Sequence, residues 1–393
     1  MADYIPFVYS EKDCQMVQKF YPDSAILRLS LDTLSNTRDA LPRGAEVWLD
    51  PAIDGLDDFT NAAPRWQTFV KQFAEWEAII DPDFQKTPER DRVERFVAAV
   101  LNACLKNLST AQWLSVPQLP VVAGASRNKI NRQLAQGTRK WRQESKFRGK
   151  MILPVIFTHQ EQVNLKTHRA PHLALASRCY GEAGADGVWI VESSLSDQDG
   201  AGTFEQRRFP GILGFHEELA ERLPRDTITI AGPYWGMNLV LWARGSVRYP
   251  AINLGSAYQY HLPGGVLKRP KTRVAVPPLR RWVVASPQFE IWLKRVVEQI
   301  PHEGIAYREM ATLLGEYKRL SVDQDLARAQ IARFYKGWFN KIETMPPAGR
   351  ALALYQDLSS AYVFGKSLPE LPRDEGTARR PERIAKQYML SCL

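Results

Sequence analysis

The feature that most constrains this chain is a short apolar, β-branched run that recurs eight times in the first two-thirds of the sequence. The runs are YIPFVY (4–9), AILRLSL (25–31), AEVWL (45–49), WLSVPQLPVV (113–122), MILPVIF (151–157), GVWIV (187–191), TITIA (227–231) and YPAINL (249–254). Several are near-continuous rather than alternating, which is how strands buried on both faces of a parallel sheet read. Stretches with apolar residues at helical spacing lie between them, at 65–80, 92–108, 172–183 and 210–222. Strand–helix alternation calls for right-handed crossovers, and eight such units close into a (β/α)8 barrel of the TIM type. The rival is an open, doubly wound sheet. No G-x-G-x-x-G follows the first strand and no P-loop occurs, so its nucleotide-binding version is disfavoured.

The pattern changes after Gly265. Residues 268–281 (KRPKTRVAVPPLRR) are basic and proline-rich, and helical spacing dominates from Pro287 onward. The expected organisation is an α/β barrel over 1–265, a linker over 266–286 and a helical C-terminal subdomain over 287–393, with helices at 288–300, 307–317, 322–342 and 349–362. No stretch of about 18 apolar residues is present, so no membrane partner is expected. The N-terminal MADYIPFVYSEKD has no basic region, apolar run and cleavage site of secretory type. Cys14, Cys104, Cys179 and Cys392 are scattered without Cys-x-x-Cys spacing. Together these features lead to the expectation of a cytoplasmic protein in a reducing compartment, its thiols buried and inert.

In such a barrel the reacting groups stand at the C-terminal ends of the strands. That rule selects Asp50, with Asp54 four residues on in LDPAIDG, then Gln118, His159, Glu192, Gly232, Tyr234, Trp235, Ser256 and Tyr258. Asp50, Glu192 and His159 are the candidate catalytic residues, since carboxylates and an imidazole at one mouth serve acid–base or nucleophilic chemistry. Asp50 and Glu192 are expected to converge on one pocket. Asp50 has the plainer alternative of capping the Asp-Pro turn. Gln118, Gly232, Tyr234, Trp235, Ser256 and Tyr258 are the candidate substrate contacts, the aromatics, with Tyr260, offering a stacking wall; core packing explains them equally well. Six histidines without ligand spacing give no metal site, and no cofactor is expected.

The partner signal is the segment 127–150, RNKINRQLAQGTRKWRQESKFRGK. Arg127, Lys129, Arg132, Arg139, Lys140, Arg142, Lys146, Arg148 and Lys150 face one acid, Glu144, in a chain of formal net charge +9. Trp141 and Phe147 are interleaved, as in surfaces that follow a phosphate backbone and stack bases. A solvated helix face is the usual alternative. Nucleic acid, DNA or RNA, is the expected partner, and the C-terminal helices could take a protein partner.

An Asp just after the third strand, polar residues after strands five to seven and a basic face together resemble the tRNA-guanine transglycosylases and their DNA-modifying relatives. The resemblance spans about residues 4–265 and implies a barrel that exchanges a guanine for a 7-deazaguanine through a covalent glycosyl-enzyme intermediate. It puts Asp50 in the place of the base-binding aspartate. The sequence departs from the family in lacking the D-S-G-G-F-like continuation, an aspartate nucleophile within NLGSAYQY and the cysteine-rich zinc site. The leading expectation is therefore a nucleic-acid-acting barrel of transglycosylase type, with Asp50 contacting or activating the base and the Tyr234 aromatics stacking it once flipped. The alternatives are a non-catalytic nucleic-acid-binding or scaffold subunit on a degenerate barrel, and a metal-free small-molecule lyase or isomerase.

Overall fold

All eight apolar runs become strands, and the strands close on themselves. In the computed structural model, which describes residues 3–122, 124–157, 166–192, 205–255, 260, 262–263, 271–373 and 379–393 (backbone alone at 166–168 and 205–208), the strands are β1 (Ile5–Val8), β2 (Ile26–Ser30), β3 (Glu46–Asp50), β4 (Trp113–Ser115), β5 (Lys150–Phe157), β6 (Gly187–Glu192), β7 (Ile228–Ala231) and β8 (Tyr249–Asn253). Every neighbouring pair is parallel, and β1 pairs with both β2 and β8, so the sheet is a closed eight-stranded barrel. The crossover helices include Arg90–Asn107, Ala125–Ser145, Lys166–Ala183, Glu205–Ala220 and Gly236–Ala243. The fold is a (β/α)8 barrel with a helical C-terminal region, as the sequence predicts.

Three local expectations are corrected. The fourth strand stops at Ser115 and returns only as an isolated bridge, Val121 to Phe157. Pro117 and Pro120 lie between, and proline has no N–H to give to the ladder. The helix expected over 65–80 breaks into Pro64–Val70 and Trp76–Ile80. At the break Glu75 takes φ +65°, and its carboxylate meets Arg92 at 2.8 Å and Arg95 at 2.8 Å. The third correction concerns the linker. Residues 273–284, inside the expected 266–286 linker, form an antiparallel hairpin of β9 (Arg273–Val276) and β10 (Arg281–Val284). Val274, Val276, Leu279 and Val283 are buried there and, with Phe289, Leu293, Met310 and Tyr317 of the next two helices, build a second core.

The rest of the C-terminal region belongs to the barrel's own core. Helices Gln324–Glu343, Pro347–Lys366 and Arg383–Ser391 place Tyr335, Phe339, Leu358 and Tyr388 in the same apolar cluster as the strands. Trp235 anchors them. Its ring lies 5.4 Å from Tyr335 and 5.9 Å from Phe334, and its indole N–H donates to the Arg280 carbonyl at 2.9 Å.

Inside the barrel, Phe7, Trp48 and Trp189 meet edge to face at ring separations of 5.4–5.8 Å. These three rings fill the middle layer, where branched aliphatics usually stand. Their indole N–H groups are satisfied within the barrel, Trp48 donating to Ser115 Oγ at 2.9 Å and Trp189 to the Gly232 carbonyl at 2.6 Å. The aromatic layer is thus a floor, and whatever stands on its C-terminal side stands in the barrel mouth.

Candidate active site

Strand register puts Phe7, Arg28 and Trp48 on one face of the sheet, and Trp189, which meets Phe7 and Trp48 across the barrel, shows that this face is the inner one. Arg28, fully buried on β2, lies on the aromatic floor with its guanidinium 4.4 Å from the Phe7 ring centre and 5.1 Å from that of Trp189. Aromatic faces attract a desolvated guanidinium, but a buried charge also needs a counter-charge. Asp50, the last residue of β3, supplies it through an ion pair with Arg28. The guanidinium also donates to the Tyr9 hydroxyl at 3.1 Å, Tyr9 following the end of β1. Its Nε–H has no hydrogen-bond partner among the described residues.

A second carboxyl joins this pair. Pro51 and Ala52 turn the chain sharply after β3, with Ala52 at φ +60°, a left-handed conformation that is strained for any residue with a Cβ. The turn brings Asp54 back toward Asp50. Asp54 is buried and accepts a hydrogen bond from the Tyr260 hydroxyl. Tyr260, beyond β8, is itself buried, its ring 5.0 Å from Trp189 and 6.5 Å from Phe7. Gly55 permits this approach, because a Cβ there would stand 2.1 Å from the Pro263 carbonyl.

One guanidinium now faces three aspartates, since Asp32, half-buried just past β2, also feels Arg28 and Asp50. Burial and the Asp50 charge push the Asp54 carboxyl up to about 7. Asp32 is raised for the same two reasons, burial first, although Ser30 donates a hydrogen bond to it. Tyr260 is held well above its ordinary value by burial and then by Asp54. The mouth therefore holds a carboxyl that carries or releases a proton near neutral pH, beside a carboxylate fixed by an arginine. That is the pairing acid–base chemistry uses.

The sequence-selected residues divide. Asp50 is at the centre of the mouth. Glu192 does not join it. It pairs in register with Phe157, whose ring packs outward on His172 at 5.7 Å and Phe215 at 4.8 Å, so Glu192 lies on the helix-facing side of the wall. Its backbone amide donates to the Tyr234 hydroxyl at 2.7 Å, which ties buried Tyr234 to the end of β6, and Trp235 packs under the C-terminal helices as described. Gln118 donates to the carbonyls of Pro117 and Asn131, both at 2.9 Å, and ties the β4 loop to the next helix. Gly232 supports the floor through Trp189. His159, Ser256 and Tyr258 lie outside the described residues. Among the described residues no group of three or more His, Cys, Asp or Glu is placed to hold a metal ion.

The basic segment is mostly the helix Ala125–Ser145, and much of its charge is spent on neighbours. Arg127 pairs with Asp57 at 2.5 Å, Arg132 with Glu182 at 2.5 Å, Lys140 with Glu94 at 2.5 Å and Arg142 with Asp186 at 3.1 Å. Lys129 donates to the Lys86 carbonyl at 2.9 Å. The two interleaved aromatics are not a platform: Trp141 is buried, and the Phe147 ring packs 5.9 Å from it. Arg139, Lys146, Arg148 and Lys150 are exposed. They lie where this helix ends and β5 begins, at the N-terminal end of the barrel, opposite the mouth that holds Asp50.

The sequence does not single out Arg28, Tyr9 or Asp32; it marks Asp54 without a role and Tyr260 as part of a stacking wall, whereas the hydroxyl of Tyr260 bonds Asp54. The available signal was Arg28 itself, a lone charge in the middle of an otherwise apolar run.

No family model matches the sequence, and no curated protein matches it. Among solved structures, active domain 2 of a thermostable chitinase from Pyrococcus furiosus is similar at 10% identity and a TM-score of 0.37, over 68% of this chain and 91% of that one. The carboxyl transferase domain of Rhizobium etli pyruvate carboxylase is similar at 9% identity and a TM-score of 0.36, over 98% of this chain; this chain spans 60% of that domain's length.

Proposed function

We propose that the barrel mouth is an acid–base active site that cleaves or exchanges a glycosidic bond. The observation that carries this reading is the Asp54 carboxyl, buried beside Asp50 at the C-terminal end of the strands and raised to about 7. Glycosidic chemistry needs two carboxyl groups with separate duties, one to protonate the leaving atom and one to face the positive charge that develops on the sugar. In the proposed reaction Asp54 gives its proton to the leaving oxygen or nitrogen, and the bond's electron pair departs with that atom. The Asp50 carboxylate, held by Arg28, faces the electron-poor sugar carbon. Water or an incoming base attacks that carbon and returns a proton to Asp54.

Transglycosylase-type base exchange is one form of this chemistry. The exposed cations Arg139, Lys146, Arg148 and Lys150 stand at the far end of the barrel from Asp50, so a small glycoside or nucleoside is the better fit to the mouth than a polymer held on that surface. The test is turnover of a panel of nitrophenyl glycosides, nucleosides and tRNA by the purified chain and by Asp54→Asn. Turnover of at least one substrate is expected, with kcat reduced about 100-fold or more in the variant, the scale of a lost general acid. A rate unchanged in Asp54→Asn, or no turnover anywhere in the panel, contradicts the reading. Turnover of tRNA alone would restore the nucleic-acid form.

A further inference from the structure

We propose that a second site, separate from the barrel mouth, binds a phosphorylated, ring-bearing small molecule of about nucleotide size. The site is a cavity of about 770 Å³ on the outside of the barrel, between helices Glu205–Ala220, Pro347–Lys366 and Arg383–Ser391. That volume lies within the range of small-molecule sites. Its chemistry is lopsided. Lys366, Arg380 and Lys386 line it against one acid, Glu382, among the described residues. Arg244 also lines it but is already paired, with Glu217 at 2.9 Å. Lys366, Arg380 and Lys386 are exposed, and like charges gathered around one concavity lower the free energy of an anion placed among them.

The remaining walls argue for more than an inorganic ion. Phe209, Leu213, Tyr362 and Leu390 give the cavity an apolar side, and Leu390 leaves 60% of its surface uncovered. The Lys366 ammonium lies 5.7 Å from the centre of the Tyr362 ring, so the cationic and aromatic parts of the wall adjoin. A ligand with a planar or apolar body on one end and phosphate charge on the other matches both parts. Gln387, also in the wall, has its side-chain nitrogen and oxygen shielded from water without a hydrogen-bond partner. Buried amides are ordinarily bonded, and rotation of this one toward the cavity gives a guest a donor and an acceptor.

The test is calorimetric titration of the full chain with ADP, pyrophosphate and adenosine at low salt. ADP is expected to bind one to one, and the Lys366→Ala/Lys386→Ala variant to bind it at least about tenfold more weakly, as lost charge-assisted contacts dictate. Both lysines are exposed, so the variant keeps its fold, which circular dichroism verifies. Pyrophosphate and adenosine, each offering half of the recognition, are expected to bind more weakly than ADP. Asp54→Asn is expected to bind ADP as the parent does. Absence of saturable ADP binding, ADP binding unchanged in the double variant, pyrophosphate binding as tightly as ADP, or loss of binding in Asp54→Asn would each overturn the proposal.

Discussion

Arg28→Met is expected to destabilise the chain by about 3–5 kcal/mol at pH 8, the usual result of removing one partner from a buried ion pair. Methionine is unbranched like the arginine stem and packs well against aromatic rings such as Phe7 and Trp189, so the loss is not chiefly one of volume. What changes is charge. Asp50 and Asp54 would stay buried without the guanidinium that faces them. Asp54 can escape the penalty by taking up a proton, so the destabilisation shrinks as pH falls. The double variant Arg28→Met/Asp50→Asn should recover most of the loss, because it removes the stranded carboxylate as well. Urea unfolding of the parent, the two single variants and the double variant at pH 5 and pH 8 measures the coupling directly. A single variant within about 1 kcal/mol of the parent at pH 8 would show that Arg28 does not neutralise a buried cluster.

Asp54→Asn is expected to stabilise the folded chain at alkaline pH and to leave it nearly unchanged at acid pH. The Asp54 carboxyl rises from an ordinary 3.8 to about 7 on folding. Between these two values the folded chain holds a proton that the unfolded chain has released. Stability therefore falls as pH rises through this window, and above about 7 the full penalty of a buried carboxylate is present. Asparagine has no proton to lose and can still accept the Tyr260 hydroxyl. The variant's advantage should therefore be near zero below pH 4 and grow to an upper bound of about 4 kcal/mol by pH 8. Thermal midpoints across that range are the check, compared as a difference between the two proteins because a chain with two cores need not unfold in one step. A difference independent of pH contradicts the assignment.

The barrel was legible because parallel strands covered on both faces leave a mark that survives without long-range information: short apolar runs such as MILPVIF, at regular intervals, with helical spacing between. The same property hid the site. In a run that is apolar throughout, sequence does not reveal which residues face inward. Glu192 at the end of GVWIVE was therefore as plausible as Asp50, and only its register with Phe157 puts it on the outer side. Arg28 in AILRLSL carries no mark in the sequence of what it meets. Its role emerges from three other strands, which bring Phe7, Asp50 and Trp189 to it. Asp54 was visible four residues beyond Asp50, but its return toward Asp50 depends on the left-handed Ala52, which nothing in LDPAIDG announces. The basic run misled in the opposite way. Its density in sequence was real, yet Glu94, Glu182 and Asp186, remote in the chain, pair with three of its cations.

The proposed chemistry requires a proton held by Asp54 at the barrel mouth, and infrared difference spectroscopy of the aspartate carboxyl bands observes that proton directly. The folded parent should show a protonated-carboxyl band that is lost with a midpoint near pH 7 and is missing from Asp54→Asn. If the parent has released all its carboxyl protons by about pH 5, as ordinary aspartates and glutamates do, and Asp54→Asn has the same spectrum, the mouth holds no acid for the proposed chemistry.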